Sequence, residues 1–308
     1  MAEKIVIDTD IGEDIDDILA CAFALRSPEF EVLAITTVDG DTQARSRIAR
    51  RLTQVAGQPR IPVAAGFRLN MPQAEPARVG SGSVTQFDLA PVEDGLPPAS
   101  ELRADALIAK LAEAHPGQIS VLTIGSMANV GQLFVRYPEA AAKLKQVVTN
   151  GGNFGPARET VIGWNLRYDP VAAAIVARGP APWALLPEGA MGQVRWTLED
   201  AARLRADERP LPRLLSHAIE LWRKNKRECT PASLPHMSDL NVFAYLLGGW
   251  TGTFRGRAFI TVPPRDRLAE LRIEEHPEGP HRLGQAVGKE RGEELRALFF
   301  GRIFSVRE

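Results

Sequence analysis

Asp8, Asp10, Glu13, Asp14, Asp16 and Asp17 crowd into ten residues near the start of this chain. Carboxylates this close repel one another unless positive charge sits among them. A helix N-terminus relieves part of the repulsion. A hard divalent cation relieves more, because Ca²⁺ takes six to eight oxygen ligands. Glu13 or Asp14 alone reads as a loop or capping residue. Asp10 together with Asp16-Asp17 reads as a metal site, since a carboxylate at a strand end and a pair at a helix start can converge on one point.

The elements that position these groups follow from hydrophobic pattern. Ile5-Val6-Ile7 is an apolar run ending on Asp8-Thr9-Asp10, Gly12 makes a turn, and Ile18 to Leu25 is an apolar helix. Open α/β sheets bind ligands at the carboxyl ends of their strands. A strand is expected over Glu31–Val38, a helix over 42–56 and a short strand over Ile61–Ala65, a β-α-β-α-β rhythm that implies a mainly parallel sheet. The Pro-, Gly- and Ser-rich stretch 66–99 reads as a long surface loop near the site. Ser100 is expected to cap a helix running to His115, and Gln118–Ile124 to form a strand ending in Gly125-Ser126-Met127-Ala128-Asn129. Helices at 127–136 and 138–144 lead to a strand at Gln146–Thr149 and the turn Asn150-Gly151-Gly152-Asn153. Asp169-Pro170 signals a helix start, followed by a strand at Trp183–Leu186 and helices from Thr197 and over Leu211–Lys226. Beyond an apolar helix reaching Leu247, residues 253–288 alternate like antiparallel strands before a last helix at Glu290–Ile303. The fold class is therefore α/β: an open, mainly parallel sheet flanked by helices, one domain over 1–308, with a small antiparallel part near the C-terminus.

Composition narrows the function. The 308 residues are 24% charged and 44% hydrophobic with a net charge of −1, ordinary for a globular protein and unsuited to general nucleic-acid attraction. The basic clusters Arg45–Arg51 and Arg223–Arg227 read as solvated helix faces. Cys21 and Cys229 stand far apart, which points to a reducing, cytoplasmic setting. The chain enters a strand almost at once, with no signal-peptide pattern and no apolar run long enough to span a bilayer.

Asp8-Thr9-Asp10-Ile11-Gly12 followed by Asp16-Asp17 resembles the DxDxGxDD signature of the nucleoside hydrolase family, with two extra residues before the aspartate pair. Later segments agree in order: Leu122-Thr123-Ile124-Gly125-Ser126, Asn150-Gly151-Gly152, Trp164-Asn165 with Asp169-Pro170, and Ser238-Asp239. The resemblance implies Ca²⁺-dependent hydrolysis of the N-glycosidic bond of a ribonucleoside. It places the metal on Asp10, Asp17, Asp239 and the Ile124 carbonyl, with Asp10 also taking the proton of the attacking water. It puts Asp16, Asn165, Trp164 and Asn150 around the sugar, Asp8 and Asp41 in supporting positions, and His236 near the leaving base. A homodimer or homotetramer, a small-molecule nucleoside partner and no membrane or nucleic-acid partner complete the implied picture.

Each residue also has a plainer reading. Asn165 can order its loop, Asp239 can be a helix N-cap, Asp41 an Asx turn and Trp164 a core residue. The chain departs from the family pattern at Gly163, where a sugar-contacting glutamate is usual, at Ser238, where a histidine is usual, and at Asn150, where a methionine is usual. Those departures keep open a nucleoside- or sugar-binding homologue with altered catalysis. A phosphatase of the haloacid dehalogenase type also begins with Asp-x-Asp, but it leaves the Asp16-Asp17 pair unexplained.

Overall fold

The computed structural model describes residues 1–69, 85–93, 95–155, 158–188, 196–226, 229–248, 250, 252–262, 269–285 and 289–305. Residues 70–84 and 94 of the expected 66–99 loop lie outside this set, as do 263–268 and 286–288 of the expected antiparallel stretch. Strand β1 (Glu3–Thr9) is followed by helix α1 (Asp16–Arg26), β2 (Phe30–Thr37), α2 (Thr42–Val55) and β3 (Val63–Ala65). After a 3₁₀ turn at Phe87–Leu89 come α3 (Ala104–Ala114), β4 (Ile119–Thr123), α4 (Ala128–Arg136), α5 (Pro138–Ala141) and β5 (Gln146–Asn150). A hairpin of β6 (Asn153–Gly155) and β7 (Arg158–Val161) precedes α6 (Trp164–Tyr168), α7 (Pro170–Ala177) and β8 (Trp183–Leu186). The chain finishes with α8 (Leu198–Ala206), α9 (Pro210–Asn225), α10 (Leu240–Leu247), β9 (Thr253–Thr261), β10 (Glu270–Glu275), β11 (His281–Gly284) and α11 (Lys289–Phe304).

Among the described residues, nine strands form one sheet in the order β10-β9-β11-β8-β5-β4-β1-β2-β3. All neighbours from β11 to β3 run parallel, and β9 is antiparallel to both β10 and β11. The chain adds strands on one side of β1 as far as β3, then returns to place β4 on the other side. β1 and β4 thus flank the point where strand order reverses, the place where such sheets open a crevice for ligand.

Both faces of the sheet are covered, so the middle residues of its central strands are apolar on both sides. Ile5 and Ile7 of β1 enter a core cluster with residues of α1, α2, α9, α10 and α11, while Val6 points into a second cluster with α3, α4, α5 and α7. This alternation is the period-two geometry of a strand.

Two sequence expectations need correction. Ser100 does not cap α3; its Oγ accepts from the Leu102 N–H at 3.1 Å, the chain bends at residues 101–102, and Arg103, with extended backbone, stands before the helix. Arg45 and Arg50 are not solvated: they are 1% and 4% exposed. Helical spacing places Arg45 on the same side of α2 as Ile48, Ala49 and Leu52, which face the core. Arg50 meets Glu93 at 2.5 Å and the Pro97 carbonyl at 3.0 Å, binding α2 to the following loop.

Candidate active site

A cavity of about 540 Å³ opens at the carboxyl ends of the central strands. It gathers the acidic loop from Asp10 to Asp17, the residues ending or following β4 (Ile124), β5 (Asn150) and β8 (Glu188), the start of α6 (Trp164, Asn165), and Lys226, Ser238 and Asp239. Three carboxylates are tightly grouped: the candidate ligand oxygens of Asp16, Asp17 and Asp239 lie within 4.8 Å of one another, and all three residues are buried. Burial, reinforced by mutual repulsion with Asp10 and Asp16, pushes the Asp17 and Asp239 carboxyls well above the ordinary carboxylate value. Asp239 occupies the position before α10, yet its side chain caps nothing. It faces the other acids instead, against the plain N-cap reading.

Asp10 sits beside this trio. Its carboxyl is pushed up to about 6 by burial, with Arg45 opposing the rise and Glu13 and Asp16 adding to it. A Cβ placed on Gly125 would fall 2.9 Å from the Asp10 nitrogen and 3.1 Å from its Oδ1, so the glycine after Ile124 allows Asp10 to lie close to the β4 end. Hard oxygen donors, buried and repelling one another, fit a hard divalent cation.

The supporting residues hold the loop from behind. Thr9 Oγ1 donates to Asp17 and accepts from the Ile11 N–H. Asp8, fully buried, accepts from Thr36 Oγ1 at 2.5 Å and Asn129 Nδ2 at 2.7 Å; burial lifts its carboxyl to about 7. Arg45 donates to the carbonyls of Asp10, Ile11 and Asp39. Asp39 itself has φ 68° and is buried, accepts from Ser126 and is raised well above the ordinary value by burial, then by the charge of Asp10. Asp41 caps α2 through the Ala44 N–H at 3.0 Å and does not line the cavity.

Two asparagines join the strand ends. Asn165 Nδ2 donates to the Ile124 carbonyl at 2.8 Å and to the Asn150 carbonyl at 3.3 Å, fixing the carbonyl expected to face a metal. Asn150 Nδ2 donates to Asp239 Oδ1 at 3.3 Å and the Ser238 carbonyl at 3.2 Å, while its Oδ1 accepts from Asn241. Its side chain therefore steadies Asp239.

At the mouth, Asp14 pairs with Lys226 and with His236 Nε2 at 3.1 Å. Burial would raise Asp14, but hydrogen bonds and charge from these two cations hold it well below the ordinary value. His236 Nδ1 lies 3.2 Å from Ser238 Oγ and 3.3 Å from Asp16 Oδ2. The Asp16 charge, opposed by burial and helped by Asp14, lifts the imidazolium to about 10. Trp164 is 44% exposed and stacked on Tyr168, at the cavity rim rather than in the core.

Comparison with known proteins bears on this geometry. The family described as inosine-uridine preferring nucleoside hydrolase matches residues 5–298. The chain belongs to that family. Uridine nucleosidase 1 of Arabidopsis thaliana is 31% identical over 238 residues, covering 72% of this chain and 67% of the relative. A probable uridine nucleosidase 1 of Oryza sativa subsp. japonica is 32% identical over 239 residues, covering 72% and 69%. Among solved structures, the plant nucleoside hydrolase PpNRh1 superposes with a TM-score of 0.81 at 23% identity, covering 99% of this chain and 100% of that one. A purine-preferring ribonucleoside hydrolase from Gardnerella vaginalis gives 0.79 at 21% identity over 98% of each chain. As a member of the nucleoside hydrolase family the protein is a hydrolase of N-glycosyl bonds, which removes the phosphatase alternative.

Within this nucleoside hydrolase, sequence reasoning missed three groups. Arg45 was legible in helical period. Asp39 sits in an Asp-Gly step at a strand end. Glu188, two residues beyond β8, is marked only by its place at a strand's carboxyl end.

Proposed function

We propose that the protein hydrolyses the N-glycosidic bond of a ribonucleoside with the help of Ca²⁺, releasing base and ribose. The observation carrying this reading is the convergence of Asp10, Asp16, Asp17, Asp239, the Ile124 carbonyl and Asn165 on one cavity. Asp10, Asp17, Asp239 and the Ile124 carbonyl would hold the ion. When bound, the cation supplies charge that keeps the carboxylates ionised and polarises a water.

The chain's own residues do the rest. Asp10, held ionised by the cation, takes the proton from the attacking water. Asp16 and the Asn165 Oδ1 accept hydrogen bonds from the 2′- and 3′-hydroxyls. The negative site favours the positive charge that develops on the ribosyl ring as the bond to the base breaks. Asn150 acts on the sugar indirectly, by steadying Asp239, and Trp164 covers the cavity rim. A proton held as tightly as that of His236 is a poor gift to a leaving base, since a general acid works best with a pKa near the operating pH. We assign His236 to aligning and partly neutralising Asp16. Assembly as a homodimer or homotetramer is part of the same reading, and light scattering of the purified protein tests it.

The experiment is release of free base and ribose from a nucleoside panel, with Ca²⁺ and with chelator. Chelator-sensitive release supports the reading. Binding of nucleoside without any release would favour the binding-homologue alternative.

A further inference from the structure

Gly163 stands where the family resemblance puts a carboxylate, but the space beside it holds one. A Cβ on Gly163 would fall 2.1 Å from Glu188 Oε1, 2.4 Å from its Cδ and 2.0 Å from the Gly152 nitrogen. Only glycine fits there, and its missing side chain admits a carboxylate delivered from the end of β8. Glu188 lines the same cavity as Asn165 and Trp164. Its Oε1 is buried and has no hydrogen-bond partner among the described residues. Burial raises its pKa, and the N–H groups of Gly152, Trp164 and Asn165 and the charge of Arg167 oppose that rise and favour the ionised, accepting form. A buried oxygen lacking a donor is costly, and a ligand hydroxyl that reaches it repairs the deficit.

We propose that Glu188 binds the 5′-hydroxyl of the substrate, replacing from β8 the carboxylate absent at position 163. This inference rests on the proposed function. A ribonucleoside offers three free hydroxyls, at 2′, 3′ and 5′. With the first two on Asp16 and Asn165, the 5′-hydroxyl is the donor left for a carboxylate beside Asn165. A carboxylate there repels an anion, so the substrate class is the unphosphorylated riboside. Gly163 and Glu188 act together: the glycine makes room and the glutamate fills it.

The test is a cycle of enzyme variants and substrates. Uridine and inosine are each compared with their 5′-deoxy counterparts, using the wild-type protein, Glu188→Ala and Glu188→Gln, with Ca²⁺ binding and circular dichroism as controls. Wild type is expected to favour the hydroxylated substrate by about 10- to 100-fold in kcat/KM, the range of a hydrogen bond to a charged acceptor. Glu188→Ala should bring that ratio near one, and Glu188→Gln, which keeps the packing and one acceptor, should retain part of it. Equal losses on both substrates in Glu188→Ala, or an unchanged ratio, would overturn the role of Glu188 while leaving the hydrolase reading intact. Absence of turnover by wild type on every nucleoside would overturn both.

Discussion

Stripping divalent cations from this protein should make it less stable as pH rises, the reverse of ordinary acid denaturation. The argument begins with Asp8, whose carboxyl stands at about 7 in the fold against an ordinary 3.8. A group whose folded pKa is raised binds more protons folded than unfolded between those two values. Its contribution is therefore fully present below about pH 4 and is lost as pH climbs through about 7. A shift of about three pK units corresponds to about 4 kcal/mol for Asp8 alone, taken as an upper bound. Asp10, at about 6, and the raised Asp17 and Asp239 act in the same direction. His236, at about 10, adds stability that is complete below its ordinary 6.5 and fades above neutrality. For a chain of 308 residues, 1 kcal/mol corresponds to about 1.5 °C in Tm. With Asp10 and His236 added, chelated protein should thus lose about 5 °C between about pH 5 and pH 8, a window where loss of protonation strands the buried carboxylates. Saturating Ca²⁺ should restore more at pH 8 than at pH 5, because binding displaces the protons the cluster holds at low pH. Melting followed by circular dichroism, with chelator and with Ca²⁺, measures both effects. A chelated Tm that is flat or rises across this window, or a Ca²⁺ shift larger at pH 5, would refute the reasoning.

Asp10→Ala should abolish base release while the folded circular dichroism spectrum is retained; normal turnover would remove Asp10 from the chemistry. Arg45→Met should destabilise the chain by about 3 kcal/mol or more, because it leaves two buried carbonyls and one part-buried carbonyl without their donor, and denaturant titration reads this directly. Asn150→Ala should weaken Ca²⁺ binding by about 10-fold or more through the loss of the bond to Asp239, measured by calorimetry, with secondary structure unchanged.

Strands β1 to β5 and β8 were readable as short apolar runs closed by polar or glycine residues, the stretch holding β9 to β11 by its alternation, and two helix starts because Asp169-Pro170 and Thr197 cap as their types suggest. Asp10, Asp16 and Asp17 stood out as candidates because acids at a strand end and a helix start need a reason to be there, while Asn165 and Asp239 became candidates only through the family resemblance. What escaped depends on the third dimension. Arg45 belongs to a cluster of basic residues, and only the phase of α2 shows that it turns inward. Ser100 bonds its own turn in preference to the helix after it. The hairpin of β6 and β7 and the single turn of α6 are too short to leave a periodic trace. Glu188 lies far in sequence from Gly163, so nothing local reveals that one side chain occupies the room the other residue leaves.

The seam between β1 and β4 divides the candidate machinery. Every acid of the loop lies on the chain before residue 18, while the Ile124 carbonyl, Asn165, Glu188 and Asp239 all come after β4 begins. Neither half holds enough donors to fix an ion or a sugar. Two separately produced pieces, divided between β3 and α3, would each be silent, and their reunion along the β1–β4 ladder would recreate the complete set at once. The same seam that makes the crevice thus makes the chain a natural substrate for fragment complementation, with signal arising only from reassembly.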